Sequence, residues 1–95
     1  MKVQFEWNAG NEVKSYTKHG ISCLEAESVF QDISRLDYAD PIHSATENRY
    51  ITLGRSSRPR ILLIAWTLRR NKVLIISARP ASRKERLHYE KSKEH

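Results

Sequence analysis

Arginine is the side chain in this sequence best supplied for chemistry, and its spacing is uneven. The chain has 95 residues, with 17 Lys and Arg against 11 Asp and Glu, a formal charge of +6. Residues 1–54 sum to −3 and residues 55–95 to +9. The second half holds Arg55, Arg58, Arg60, Arg69, Arg70, Arg79, Arg83 and Arg86. A guanidinium stays protonated at working pH and presents a planar fork of donors. Such a half favours a polyanionic partner, nucleic acid first, or an acidic protein. The plain alternative is a solvated basic face. Other chemistry is poorly supplied. His19, His43, His88 and His95 form no HxxxH or HxH pair, and the single Cys23 forms no CxxC, so no metal site and no disulfide are expected. Gly10, Gly20 and Gly54 are scattered, which excludes a glycine-rich phosphate loop, and no GxSxG nucleophile turn occurs. Cys23 reads as a small half-buried side chain.

The elements that must position these arginines follow from length and pattern. Ninety-five residues make one domain. An apolar fraction of 39% and a mean hydropathy of −0.66 fit a soluble globular protein. The longest apolar run, residues 61–66, is strand-sized, so no membrane span is expected. The first six residues lack the apolar core of a signal peptide, and the expected compartment is the cytoplasm.

Residues 3–7 alternate apolar and polar, which predicts a half-buried strand. Asn8 caps a short helix that ends at His19-Gly20, with Gly20 in the left-handed position. Ser22 and Glu25 form a capping box for a second helix over about residues 23–32, and Asp40-Pro41 marks a break. Residues 47–53 predict a strand, residues 60–69 a strand apolar on both faces and therefore central, and residues 73–79 another. Ser56-Ser57-Arg58-Pro59 and Arg70-Asn71-Lys72 are the turns between them. Ser82 and Glu85 form a second capping box, opening a C-terminal helix on which Arg86 and Glu90 make an i,i+4 pair. The expected fold class is α+β: an antiparallel meander with two N-terminal helices and one C-terminal helix over one sheet face. The meander would place Arg49, Arg69, Arg70 and Lys72 at one end of the sheet. Arg55, Arg58, Arg60 and Arg79 would lie at the other, with Arg83 just beyond, roughly 20–25 Å away. Arg69 and Arg79 each end an apolar row, where a sheet face opens to water.

A set of motifs carries a resemblance. They are Phe5-Glu6-Trp7, Lys18-His19-Gly20-Ile21-Ser22, Glu25-Ala26, Val29-Phe30, Asp32, Glu47-Asn48-Arg49 and Trp66-Thr67-Leu68-Arg69. Ile75-Ile76-Ser77-Ala78-Arg79 and Glu85-Arg86-Leu87-His88-Tyr89-Glu90 complete it. Together they resemble the BrnT family of type II toxins over about residues 3 to 90. The resemblance implies a fold similar to the RelE/ParE group and a metal-independent, cofactor-free endoribonuclease that inhibits translation. It also implies a cognate antitoxin called BrnA, a hetero-oligomer with it, and operator DNA bound only through the antitoxin. The chain departs from the family where Trp7-Asn8-Ala9 replaces Trp-Asp-Pro, where Leu74 stands at a usual arginine, and where Pro80 follows Arg79. Arg70 or Lys72 is the expected substitute for the arginine lost at Leu74.

Cleaving RNA without a metal needs a base for the 2′-hydroxyl, an acid for the 5′-oxygen and cations for the charge on phosphorus. Base and acid would come from His19, His88, Glu47, Lys18 or Tyr89, with His19 first because imidazole suits neutral pH. Glu47 also reads as the partner of Arg49, and Tyr89 as a ring packed on the sheet. The expected catalytic set is Arg69, Arg79, His19, Arg49, Glu47 and Tyr89, and the expected RNA contacts are Lys18, Arg70, Lys72, Arg83 and Arg86. Leu74 keeps a second reading open: a non-catalytic RNA-binding or co-repressor subunit of a toxin–antitoxin complex.

Overall fold

The strand that is apolar on both faces organises the molecule. A computed structural model describes residues 3–6, 20–43 and 47–93. Its elements are β1 (Phe5–Glu6), α1 (Cys23–Ser28), β2 (Leu36–Ala39), β3 (Arg49–Arg55), β4 (Ile61–Arg69), β5 (Lys72–Pro80) and α2 (Arg83–Ser92). Short 3₁₀ turns follow α1 at Val29–Gln31 and β2 at Pro41–His43. The sheet order is β1-β5-β4-β3-β2, so β4 is the centre, as its two apolar faces require. β2 to β5 form an antiparallel meander. The β4–β5 turn places Arg70 at φ 54° and Asn71 at φ 64°, the left-handed pair that suits the twist of a two-residue hairpin.

Three expectations need correction. The sheet is mixed, because β1 pairs parallel with β5, Phe5 opposite Val73. Alternation over residues 3–7 specifies a half-buried strand but not its direction. Only strands joined by tight turns are forced antiparallel. Second, β2 was not expected. Its four residues are mostly exposed and carry little pattern. Third, the helices do not share a face. Along β4, Leu62 and Ile64 pack with Ile21, Ala26, Val29 and Phe30 of the α1 segment. Ile61 and Leu63 belong to the opposite row, which packs with Leu36, Leu53, Ala81 and Tyr89. α1 therefore covers one face and α2 the other, and both rows of β4 are buried by helix. The helix expected from Asn8 to His19 lies outside the described residues, so the structure shows two helices of the expected three.

Ser22 caps α1 through a 3.1 Å bond from the Glu25 amide, but Glu25 does not complete the box. Its carboxylate is turned to Arg60 and Ser56 instead. The Ser82–Glu85 box on α2 is complete. The two fully buried threonine hydroxyls are also paired: Trp66 donates to Thr52 at 2.7 Å, and Thr67 donates to the Asn48 carbonyl at 2.6 Å. Gly54 lets the α1 segment approach β3. A Cβ there would lie 2.9 Å from Val29 Cγ1 and 3.1 Å from Arg35 Cβ.

Candidate functional site

The two sheet ends carry the basic residues as expected, but their arginines differ in how they are engaged. At the β4–β5 hairpin, Arg69 pairs in register with Lys72, and its guanidinium lies 3.5 Å from Glu47. Glu47, expected to pair with Arg49, reaches Arg69. Arg49 is half-buried opposite Thr67. Arg70 and Lys72 are exposed beside them. Leu74 is 4% exposed in β5, so its apolar side chain occupies an interior position.

The opposite end is built by the start of β4, the end of β5 and α2. Arg60 holds the buried Glu25 by two bonds of 2.7 Å and reaches the Gly20 carbonyl. Arg60, helped by Ser56, keeps the Glu25 carboxyl below its ordinary value against the opposing effect of burial. Arg79 holds Glu85 just as closely, at 2.9 and 2.8 Å. The Glu85 carboxyl also accepts from the Ser82 amide. Arg79 first, and the Ser82 contacts after it, lower the Glu85 carboxyl to about 2 although burial opposes them. Glu85 therefore does two jobs: it caps α2 and fixes the Arg79 side chain. Arg79, expected in the catalytic set at the end of its apolar row, is thus engaged by Glu85 on two of its nitrogens.

Arg55 meets Glu90 at 3.3 Å, a pair in which both side chains are largely exposed. Glu90 was expected to pair with Arg86 along the helix; it reaches across to β3 instead. Arg86 gives one N–H to the Ala81 carbonyl, and Arg83 is exposed. No described carboxylate pairs with either Arg83 or Arg86. Together with Arg55, Arg60 and Glu90 they line a cleft of about 570 Å³. Four guanidinium groups against one carboxylate make it a cationic cleft.

Tyr89 is 1% exposed, and its hydroxyl donates to Asp32 at 2.5 Å. Burial first, and the Asp32 carboxylate after it, push the Tyr89 phenol up to about 12. Asp32 also accepts the Arg55 and Ser34 amides. Burial would raise the Asp32 carboxyl, but these three donors together hold it below its ordinary value. Tyr89 is thus placed as a lock between α2 and the end of β3, with its hydroxyl engaged in the core.

On the other flank of α2, His88 Nε2 lies 2.6 Å from Tyr38 Oη, with the rings stacked at 6.1 Å and 27°. A hollow of about 350 Å³ opens beside them, floored by Ile51, Leu53 and Leu63 and walled by Lys84 and Glu85. The sequence made His88 one candidate for proton transfer but offered no sign of Tyr38, which lies fifty positions away.

The expected set is therefore split. Arg79, Tyr89, Arg83 and Arg86 cluster around α2, while Arg69, Arg49, Glu47, Arg70 and Lys72 cluster at the hairpin. From Lys72 to Arg79 the chain runs about 23 Å at strand rise, so Arg69 and Arg79 do not meet at one phosphate. Lys18 and His19 lie outside the described residues. Among the described residues no three His, Cys, Asp or Glu side chains gather to hold a metal ion, and no helix is long and apolar enough to cross a membrane.

Comparison with known proteins supplies a name for this arrangement. A family model described as ribonuclease toxin, BrnT, of type II toxin–antitoxin system matches residues 7–85. The crystal structure of the Brucella abortus ribonuclease toxin BrnT superposes with a TM-score of 0.59 at 18% identity. The match covers 86% of this chain and all of that one, a likeness of fold. A search of curated protein sequences found no match.

Proposed function

The chain belongs to the BrnT family of ribonuclease toxins of type II toxin–antitoxin systems, and on that premise we propose that it is an endoribonuclease whose RNA site runs along α2. A type II toxin has a protein antitoxin as partner. The observation that carries the placement is the pair Arg83 and Arg86 on one helix, both unmatched by a described carboxylate and both lining the 570 Å³ cleft. Guanidinium groups bind phosphate bidentately and stabilise charge as it grows on phosphorus. Arg55 joins them by exchanging the exposed Glu90 for a phosphate, because exposed pairs are worth only about 0–1 kcal/mol. Arg60 stays on buried Glu25 and shapes the cleft wall. Arg79, pinned by Glu85, turns its remaining N–H donors toward the substrate.

In this reading the cations are the protein's own, and cleavage is metal-independent. The hairpin residues Arg69, Arg70, Lys72 and Arg49, with Glu47, extend the track for the RNA backbone instead of joining the reaction. Leu74 belongs to that end, about 16 Å along β5 from Arg79. Buried there, its side chain lies away from the RNA track and leaves the α2 site whole. The antitoxin is a BrnA-type protein whose acidic segment covers part of the 49–86 region and blocks RNA. The two form a hetero-oligomer in the cytoplasm, and operator DNA is contacted through the antitoxin.

The test is incubation of the purified chain with RNA in EDTA, with and without the co-encoded antitoxin. Decay that the antitoxin stops is the expected result. Intact RNA that is nonetheless tightly bound would replace the enzyme with a binding subunit.

A further inference from the structure

Resting on the ribonuclease reading, we propose that Tyr38 and His88 form the general-base relay of the reaction, with the reacting nucleotide seated over the hollow beside them. The two residues come from β2 and α2, and their polar atoms meet at 2.6 Å. Both are exposed, with Tyr38 at 39%. A tyrosine–histidine contact on a surface open to solvent is poorly placed as a core fastening, but a substrate can reach it. The hollow it borders has an apolar floor of Ile51, Leu53 and Leu63, which suits the face of a nucleobase. Lys84 on its wall supplies a cation for the phosphate, and Glu85, on the same wall, holds Arg79. The hollow and the arginine cleft lie on opposite flanks of one helix, so a strand bound by Arg83 and Arg86 passes the hollow as it crosses α2.

In the relay the Tyr38 phenol, which burial raises above its ordinary value, is the donor and His88 Nε2 the acceptor. The ribose 2′-hydroxyl then gives its proton to Tyr38 Oη as the phenolic proton passes to His88 Nε2. O2′ bonds to phosphorus and the P–O5′ bond breaks. O5′ takes a proton from water, and the imidazolium returns its own to the hydroxide formed. The products are a 2′,3′-cyclic phosphate and a 5′-hydroxyl end. Tyr38 touches the substrate oxygen and His88 acts through it.

The test compares Tyr38→Phe and His88→Gln with the parent in single-turnover cleavage of a short RNA, alongside RNA affinity and melting temperature. Phenylalanine keeps the stacked ring and removes the relay oxygen; glutamine keeps a hydrogen-bonding side chain and removes the proton acceptor. The expected result is a rate loss of about tenfold to a thousandfold in each variant, in the range for general-base removal, with affinity and melting temperature nearly unchanged. Two variants guard against one failing to fold. Either folded variant cleaving within about twofold of the parent would overturn the relay while leaving the ribonuclease reading intact. A parent that does not cleave at all would overturn both.

Discussion

Glu25 and Glu85 each hold an arginine by two short hydrogen bonds, and neither arginine can serve RNA with its full fork without abandoning a carboxylate. The two pairs differ in depth. Glu25 is 3% exposed, so releasing Arg60 would strand a buried charge. The Arg79–Glu85 pair is partly solvated, and its effect on stability is correspondingly small. Its pH dependence has a definite sign. The Glu85 carboxyl is lowered from 4.5 to about 2, so its contribution is complete above the unfolded value and disappears as pH falls through the folded one. Glu85→Gln is expected to be about 1 kcal/mol less stable than the parent at pH 6, after discounting for screening. That gap should close as pH falls from about 4.5 to about 2, and melting curves across this range check it. Activity separates the arginines further. Arg79→Ala should slow RNA decay by about tenfold or more, whereas Arg58→Ala, on the exposed β3–β4 turn, should stay within about twofold. Equal effects would remove the special place of Arg79.

α2 joins the site to the core at two points, the Ser82–Glu85 box at its start and Tyr89 near its end. Ser82→Ala should cost about 1 kcal/mol of stability through the lost cap. Tyr89→Phe should cost about 1–3 kcal/mol, because Asp32 loses a donor. Chemical denaturation measures both, and a Tyr89→Phe protein as stable as the parent would show that the lock to Asp32 carries no weight. These elements also show what the sequence makes legible. Residues 61–66 are apolar at every position, which places β4 centrally without further information. The turn at Arg70-Asn71 and the Ser82 box depend on adjacent residues and were readable for the same reason. Contacts made at a distance were not. Nothing near Glu90 says that Arg55, thirty-five positions earlier, will outcompete Arg86 for it. Nothing in the alternation of residues 3–7 says that β1 will run parallel to β5. Tyr38 lies on a strand too short and exposed to leave a pattern, so half of the proposed relay was invisible. The arginine grouping at the two ends was legible because strand order alone determines it.

Across the whole molecule the charge is distributed as −3 over residues 1–54 and +9 over residues 55–95, so the basic half attracts a polyanion before any contact forms. RNA affinity should therefore fall steeply with salt. Each phosphate contact removed should reduce the slope of log affinity against log salt by about 0.7 for a single strand. The Arg83→Ala/Arg86→Ala protein should lose about two contacts' worth of slope, and so should Arg69→Ala/Arg70→Ala, since each pair is assigned two phosphate contacts. Rate distinguishes them where binding does not. The account's central claim is that the reaction occurs at α2, and single-turnover cleavage by these two double variants at saturating protein tests it most directly. The account predicts that the α2 variant cleaves about a hundredfold or more slowly, from the loss of the phosphate contacts that position the strand across α2, while the hairpin variant stays within about threefold of the parent. A hairpin variant as slow as the α2 variant, or slower, would contradict it.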